Sequence, residues 1–208
     1  HIDFHLFQQN KMFFHLQLVV IYLLVNLIQL ESKKQYILHR DLFQGFKSPE
    51  FTVYDNTEKI VHYRIESDYG RLEHLRLVTY PTKQKVGVLN EKRISSNSTM
   101  EFSIIHHQKN KTITNGTMEK QYSFLHRLSF TMKYQNKKIR VQSTSLLFPL
   151  GSVTITDSDG LVLASFYQQY YRFLRRKIHL EIFSDRYSEE IYLLAIANRY
   201  TQEALKKE

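Results

Sequence analysis

The sequence has no cysteine and no tryptophan among its 208 residues, and it has only six glycines and three prolines. The absence of cysteine excludes disulfides, thiolate nucleophiles and zinc sites that use cysteine ligands. It leaves the redox compartment open, because a closed β-barrel can be stable without disulfides. Glycine and proline often mark turns, so their scarcity leaves few such markers between the apolar runs of the chain.

Apolar side chains are plentiful. Hydrophobic residues make up 42% of the chain, with 14 phenylalanines and 14 tyrosines, which is enough to form a sizeable core. The length suits one domain with a terminal extension. The formal net charge of +9 favours an anionic partner, whether acidic lipid, nucleic acid or acidic protein.

The N-terminal part of the chain contains a run without charged residues, Met12–Leu30. Its apolar centre, Leu18–Val25, has the length of a signal-peptide core. We therefore predict an N-terminal extension over residues 1–34 that carries a secretory signal or an anchor. A helix that spans a membrane needs about 20 apolar residues, so this run is only just long enough for an anchor. The alternative is a buried strand or helix of the main domain. The predicted location is the secretory pathway, extracellular or membrane-anchored, with the cytoplasmic side of a membrane as the alternative.

Three glycosylation acceptor sequences of the form Asn-x-Ser/Thr begin at Asn97, Asn110 and Asn115. All three lie in one polar segment, residues 90–120, which we predict to form surface loops. Such acceptors are compatible with a secreted glycoprotein. A polar loop in a cytosolic protein would explain the same segment equally well.

A strand–turn–strand pattern occurs in two distant parts of the chain. In each copy an apolar-Thr-apolar strand meets a turn that begins with Asp, whose side chain can bond its own backbone. The first copy has strands 51–54 and 60–66 around turn 55–58, and the second has strands 153–156 and 161–166 around turn 157–160. Alternation predicts further strands at 72–80, 85–89, 101–106, 122–134, 138–143 and 177–183. Many short strands at this spacing are typical of a β-sandwich or a β-barrel.

The C-terminus is predicted to be a helix that begins after Ser188, which can cap it, with Glu189 and Glu190 in the first turn. Residues 191–197 leave no polar face, so this part must be buried or in a membrane, and it is too short to span one. In a chain of strands, a buried helix has to be enclosed by those strands. We therefore predict a helix that fills a barrel and emerges at Asn198, where polar residues begin.

The chain resembles the tubby C-terminal-like superfamily, and within it the LURP-one-related proteins and the phospholipid scramblases. The segments that carry the resemblance are YILHRDLF, FTVYDNTEKIVHYRIE, SVTITDSDGLVLASF and KIHLEIFSDRYSEEIYLLAIANRY. The resemblance implies that residues 35–208 form a mainly β domain, a closed twelve-stranded β-barrel wrapped around a buried hydrophobic C-terminal helix. It also implies no catalytic residues. The cysteine cluster and proline-rich region of scramblases are missing here, which argues against scramblase activity.

Motifs for chemistry are weak in this sequence. His106 and His107 are adjacent, and adjacent strand residues point to opposite faces, so a polar strand end is favoured over a metal site. The run that begins at Asp157 departs from a calcium loop, because Gly160 is its fourth residue and Gln168 its twelfth. No Gly-x-Ser-x-Gly sequence and no glycine-rich phosphate loop occur. We predict no enzymatic activity, no cofactor and no metal.

Basic residues form the remaining candidate sites. One cluster follows the second strand–turn–strand copy, and another surrounds a predicted hairpin turn. They consist of Arg172, Arg175, Arg176 and Lys177, and of Lys133, Lys137, Lys138 and Arg140. Because tubby binds phosphoinositide through basic surface residues, the resemblance implies that either cluster could hold an anionic headgroup. The alternative is a solvated face that keeps a barrel soluble.

The predicted function is a non-catalytic binding module that contacts anionic lipid or membrane through its basic surface. The alternative is a secreted or membrane-anchored glycoprotein that acts as a structural or protein-interaction scaffold. The two differ in compartment, because phosphoinositides face the cytosol. A carrier of apolar ligands is disfavoured, since the helix should fill the lumen. We expect a monomer, and no motif supports nucleic acid as a partner.

Overall fold

The computed structural model describes residues 33–41, 49–68, 71–94, 97–107, 112–121, 129–143, 152–170 and 176–204. Within these residues the chain forms twelve strands and one helix. They are β1 Lys34–Arg40, β2 Phe51–Asp55, β3 Val61–Asp68, β4 Arg71–Thr79, β5 Lys85–Ile94, β6 Asn97–His106, β7 Thr112–Gln121, β8 Ser129–Tyr134, β9 Lys137–Ser143, β10 Val153–Thr156, β11 Val162–Tyr170, β12 Arg176–Ile182 and α1 Glu189–Ala204. The predicted extension lies outside the described residues except for its last two, so it stays a prediction.

The twelve strands form one closed antiparallel barrel in which each strand pairs with its neighbours in sequence. The barrel closes between β1 and β12, where Lys34 lies opposite Ile182. In such a meander the turns β2–β3, β4–β5, β6–β7, β8–β9 and β10–β11 lie at one end. The chain also passes from β12 into α1 at that end, which we call the entry end. The predicted mainly β, twelve-stranded closed barrel is confirmed.

The core consists of the inward side chains of the strands and of nearly the whole helix. Alternation is regular in the first hairpin, where Phe51 and Val53 of β2 and Ile65 of β3 are all fully buried. Every side chain of residues 191–197 has no exposed surface. A helix that is apolar on all sides needs apolar neighbours on all sides, and a closed barrel supplies them. The helix therefore fills the barrel, as predicted.

The prediction that the helix emerges at Asn198 is wrong. Asn198, Arg199 and Thr201 are all buried. The helix has 16 residues, so it is about 24 Å long. Strands β5, β6 and β7 have ten residues each and are about 33 Å long, so the wall can enclose the helix through these turns even when the strands tilt. The Thr201 hydroxyl meets its hydrogen-bonding need within the helix, donating to the Ala197 carbonyl oxygen at 3.0 Å.

The predicted strand 101–106 is confirmed as part of β6. The prediction of surface loops over the rest of residues 90–120 is wrong, because the segment also contains the end of β5, the start of β6 and most of β7. The inward side chains of β6 are apolar and buried, among them Phe102 and Ile104. In β7 the inward positions include Gly116, where an added Cβ would clash with the Phe102 ring. The small residue makes room for that ring and also hides the apolar alternation that marks a strand. The predicted strand 122–134 is confirmed only over 129–134, since its first part lies outside the described residues.

In both strand–turn–strand copies the Asp carboxylate accepts hydrogen bonds from backbone N–H groups of its own turn, although the positions of those groups differ. The Asp55 carboxylate accepts the backbone N–H groups four and five residues on, both at 2.9 Å. The Asp157 carboxylate accepts hydrogen bonds from the backbone N–H groups of Asp159 and Leu161, at 2.9 and 3.0 Å. The fourth residue of each turn has a positive φ, 59° at Glu58 and 84° at Gly160. The Asp side chains are therefore turn formers, and these bonds, foremost the one from the N–H of Ile60, lower the pKa of Asp55 to about 2.

Candidate functional site

The β8–β9 hairpin positions one of the two predicted basic clusters. Its turn consists of Gln135 and Asn136, whose φ angles are 49° and 60°. Two consecutive positive φ angles are typical of a type I′ turn, whose twist matches that of the flanking strands. The tight turn fixes the register, so Lys133 lies opposite Lys138.

The outer face of this hairpin carries the basic side chains. Their neighbours Met132, Ile139 and Val141 are fully buried, so Lys133, Lys138 and Arg140 point outward. Lys137 is exposed beside the turn. The structure thus places together the four residues that sequence reasoning grouped. We call them the hairpin cluster: Lys133, Lys137, Lys138 and Arg140.

Only part of the charge of the hairpin cluster is compensated. Like charges directly opposite on paired strands repel, which applies to Lys133 and Lys138. The Lys133 ammonium lies 2.5 Å from a carboxylate oxygen of Glu119 on β7, which offsets that repulsion. Among the residues that the structure describes, no carboxylate forms an ion pair with the other three members of the cluster. These three charges are free to attract an anion.

A cleft of about 630 Å³, with polar and apolar surface in similar amounts, borders the hairpin cluster on the outer faces of β5 to β9. Its lining offers amide, hydroxyl and ammonium groups, with Glu101 as its carboxylate. Such groups can hydrogen-bond a polar ligand and attract an anionic one. The lining side chains are Asn90, Glu101, Ser103, Asn115, Thr117, Lys133, Gln135, Asn136, Lys137 and Lys138, with parts of Phe102, Gly116 and Tyr134.

The second predicted cluster is brought together only in part. Arg172 and Arg175 lie outside the described residues, and Arg176 begins β12. The Lys177 ammonium donates to both carboxylate oxygens of Glu58, at 2.6 and 2.8 Å. These hydrogen bonds, which outweigh the effect of burial, hold the pKa of the Glu58 carboxyl below its usual value. Lys177 is therefore already engaged within the fold.

Two of the three glycosylation acceptors lie in strands. Asn97 is the first residue of β6, Asn115 lies within β7, and Asn110 lies outside the described residues. The Asn115 side chain is exposed on the outer face, and its amide oxygen accepts a hydrogen bond from the Ser103 hydroxyl at 2.8 Å. It lines the same cleft as Lys133. A glycan on Asn115 would therefore occupy the surface beside the hairpin cluster.

A half-buried carboxylate, which sequence reasoning did not identify as a site, holds the start of the helix. Glu189 accepts hydrogen bonds from the hydroxyls of Tyr36 and Tyr63 and, at 3.0 Å, from the Lys34 ammonium. Burial raises the pKa of the Glu189 carboxyl, but these hydrogen bonds together outweigh it and leave the pKa below its usual value. Burial, and next the bond to Glu189, raise the pKa of both tyrosines. The predicted cap by Ser188 is wrong, since its hydroxyl is buried and has no hydrogen-bond partner among the described residues.

Two further ion pairs fasten the segment between β12 and α1 to the barrel. The Arg186 guanidinium pairs with Asp157, a buried residue of the second Asp turn. The Lys33 ammonium lies 3.0 Å from Asp185. The Lys33–Asp185 pair is exposed and contributes little, so the Arg186–Asp157 pair and the bonds of Glu189 are the main contacts that hold the helix start. The acidic residues here are structural, and their charges face basic partners.

The adjacent histidines end a strand, as the sequence indicates. His106 is the last residue of β6, and the His107 ring nitrogen lies 2.8 Å from the backbone oxygen of Lys85. Within the described ranges, no three His, Asp or Glu side chains come together as a metal-binding group. Among the described residues, His106 and His107 therefore have no neighbouring His, Asp or Glu side chains with which they could bind a metal ion.

Comparison of the chain with protein-family models, with curated proteins and with solved structures gives no match. The resemblance to tubby C-terminal-like proteins therefore stays a prediction. In the described part of the chain, no helix has both the length and the apolar character needed to cross a bilayer.

Proposed function

We propose that this protein is a non-catalytic binding module that contacts anionic membrane lipid through the hairpin cluster. The observation that carries the proposal is the uncompensated charge of Lys137, Lys138 and Arg140 on one hairpin. Each basic residue close to an anionic membrane surface contributes about 1 kcal/mol. A two-residue turn fixes the backbone that carries these charges, so binding requires no ordering of the loop.

The filled barrel supports binding at the outer surface. The helix side chains of residues 191–197 are completely buried, so the lumen has no room for an apolar ligand. This argues against a carrier that encloses its ligand, as the sequence indicated. The surface cleft beside the hairpin cluster offers amide, hydroxyl and ammonium groups that can bind a lipid headgroup.

The triple substitution of Lys137, Lys138 and Arg140 by alanine is expected to weaken binding to vesicles that contain phosphatidylserine by about 100-fold, from about 3 kcal/mol of lost attraction. Co-sedimentation over a range of lipid concentrations measures this change. Lys133→Ala removes one charge of the same cluster and leaves Glu119 unpaired, so it should cost at most about 1 kcal/mol and weaken binding by less than about tenfold.

Salt provides a second readout of the same proposal. Binding of the unmodified protein should weaken as ionic strength rises, because exposed charges are screened. Equal affinity of the triple variant and the unmodified protein, or equal binding to vesicles of phosphatidylcholine alone, would refute the electrostatic proposal.

A secreted or anchored glycoprotein scaffold is the second candidate function, and the exposure of Asn115 favours it. Expression from Met12 in animal cells, followed by intact mass before and after deglycosylation, tests it. A glycoprotein should lose mass on deglycosylation, and Asn115→Gln should remove one glycan. An intracellular product of unchanged mass that retains Met12 would exclude this candidate and leave cytosol-facing lipid as the partner.

A further inference from the structure

The entry end of the barrel carries an unusual set of exposed apolar side chains. Among the described residues five large apolar side chains are well exposed, and four of them lie at this end. Each of the four belongs to, or borders, a different hairpin turn. They are Ile60 at 59% exposure, Tyr80 at 45%, Ile113 at 56% and Leu161 at 42%.

Turns are normally rich in polar residues, so apolar side chains on four turns at one end call for an explanation. Single exposed apolar residues are common, whereas a group at one place marks a surface that meets a protein or a membrane. The fifth exposed side chain, Tyr167, lies away from the turns, on β11, and is stacked on the His179 ring with centroids 4.9 Å apart.

Charge separates the entry end into two sides. The turns β4–β5, β6–β7 and β8–β9 are basic, since residues 80–90, 102–118 and 120–156 contain no Asp or Glu. Exposed lysines on these turns include Lys83, Lys137 and Lys138. The turn before Ile60 contains Asp55 and Glu58, and Glu58 is paired with Lys177. The remaining carboxylates of this end include Asp157, Asp185 and Glu189, and each of these pairs with a basic residue.

We infer that the basic side of the entry end docks end-on against an anionic lipid bilayer, with Ile60, Tyr80 and Ile113 entering the headgroup–acyl boundary. The docking rim consists of Ile60, Tyr80, Lys83, Ile113, Lys137 and Lys138. This inference rests on the proposed lipid function, and it adds apolar insertion and an orientation to it. Leu161 stays out of the bilayer, because its turn carries the carboxylate of Asp159, which is 78% exposed. The turn before Ile60 differs, since its Glu58 carboxylate is bound to Lys177.

Two features of the docking rim fit a membrane surface. Apolar side chains interspersed with lysines match the lipid boundary, where acyl chains lie beneath anionic headgroups. Tyrosine suits this depth because its ring is apolar and its hydroxyl is polar.

The absence of tryptophan makes the test direct, because a single introduced tryptophan is the only one in the chain. The variants are Ile60→Trp and Ile113→Trp on the docking rim, with Leu161→Trp and Tyr167→Trp as matched controls at exposed positions away from it. Each full-length variant is mixed with vesicles of equal parts phosphatidylserine and phosphatidylcholine. We expect the emission of the two rim tryptophans to move to shorter wavelength and to become protected from aqueous iodide. The control tryptophans should show neither change.

The outcomes separate this inference from the proposed function. If the protein co-sediments with the vesicles but the rim tryptophans do not respond, docking by the rim is refuted and binding by the hairpin cluster stands. If it does not co-sediment, both fail. A wavelength shift that appears without vesicles and grows with protein concentration would show self-association at the rim, which also refutes the inference. So would an equal response at Leu161→Trp and Tyr167→Trp.

A second variant guards against effects of the introduced indole. Ile113→Asp places a negative charge on the rim at an exposed position, so the fold should persist and can be checked by circular dichroism. We expect this variant to lose the vesicle binding that resists high salt, since salt screens charges but does not weaken apolar insertion. Unchanged binding at high salt would contradict the inference.

Discussion

Leu194→Ala is expected to lower the free energy of unfolding by about 3 to 4 kcal/mol, which is typical of a fully buried leucine that leaves a cavity. Leu194 has no exposed surface, and its side chain packs beside Gly87, where an added Cβ would lie 3.3 Å from the leucine Cδ1 atom. The surrounding wall is a closed barrel, so it cannot collapse easily into the space. Urea unfolding followed by circular dichroism measures the change.

The chain provides a matched control for this substitution in Leu161→Ala. Leu161 is 42% exposed at the entry end, so the same chemical change should cost less than about 1 kcal/mol. Equal losses in the two variants would show that the helix does not fill the barrel in solution. The two variants carry the same chemical change and differ in burial, so the difference in their unfolding free energies measures the packing of Leu194 inside the barrel.

Glu189→Gln is expected to lower the free energy of unfolding by about 2 kcal/mol at neutral pH. The carboxylate accepts hydrogen bonds from two buried tyrosine hydroxyls and from Lys34, and an amide offers them one acceptor and a competing donor. Glu190→Gln is the control, because Glu190 occupies the same helix turn and is not part of this network. Denaturant unfolding of both variants gives the comparison.

The effect of Glu189→Gln should depend on pH with a definite sign. The folded state lowers the pKa of the Glu189 carboxyl below its usual value of 4.5. A group of this kind contributes its stability above the unfolded-state pKa and loses it as the pH falls through the folded-state value. The difference between the unmodified protein and the variant should therefore be full at pH 7 and shrink below about pH 4. A difference that stays constant down to pH 3 would show that ionisation of Glu189 does not stabilise the helix start.

The fold was predictable where side-chain patterns were strong. The strands around the two Asp turns alternate in the first copy and contain apolar-Thr-apolar sequences in both, and the helix has an apolar run that needs an enclosing wall. Strand β7 was missed because two of its inward positions are occupied by Thr114 and Gly116, which are not large apolar residues. Gly116 leaves space for the Phe102 ring, so the apolar alternation typical of a strand is absent from the sequence. Short-range patterns cannot reveal a small residue whose partner lies on another strand.

The buried end of the helix shows the same limit. Asn198 and Arg199 indicate exposure by their chemistry, yet the barrel wall encloses them. Wall height depends on how the strands pair and tilt, and no single segment encodes that. Likewise, the Glu189 network joins β1, β3 and the helix, which are distant in sequence.

The candidate site was predictable in its composition and only partly in its arrangement. The residues of the hairpin cluster are near each other in sequence, so a tight turn was enough to bring them together. The pairing of Lys177 with Glu58 joins a strand to a turn far away in sequence, and it removes one residue from the second cluster. The docking rim went unnoticed because its members are spread over four hairpins and meet only when the barrel closes.

The two candidate functions make opposite use of one surface. Asn115 and Lys133 line the same cleft, so a glycan on Asn115 would cover part of the surface that lipid headgroups would contact. A secreted, glycosylated form and a lipid-binding form are therefore alternatives at this site.

The most direct test of the lipid-binding account is co-sedimentation of the unmodified full-length protein with vesicles that contain phosphatidylserine, compared with vesicles of phosphatidylcholine alone. The account predicts binding that requires the anionic lipid and weakens as salt is added. Equal binding to both kinds of vesicle, or binding to neither, would contradict it.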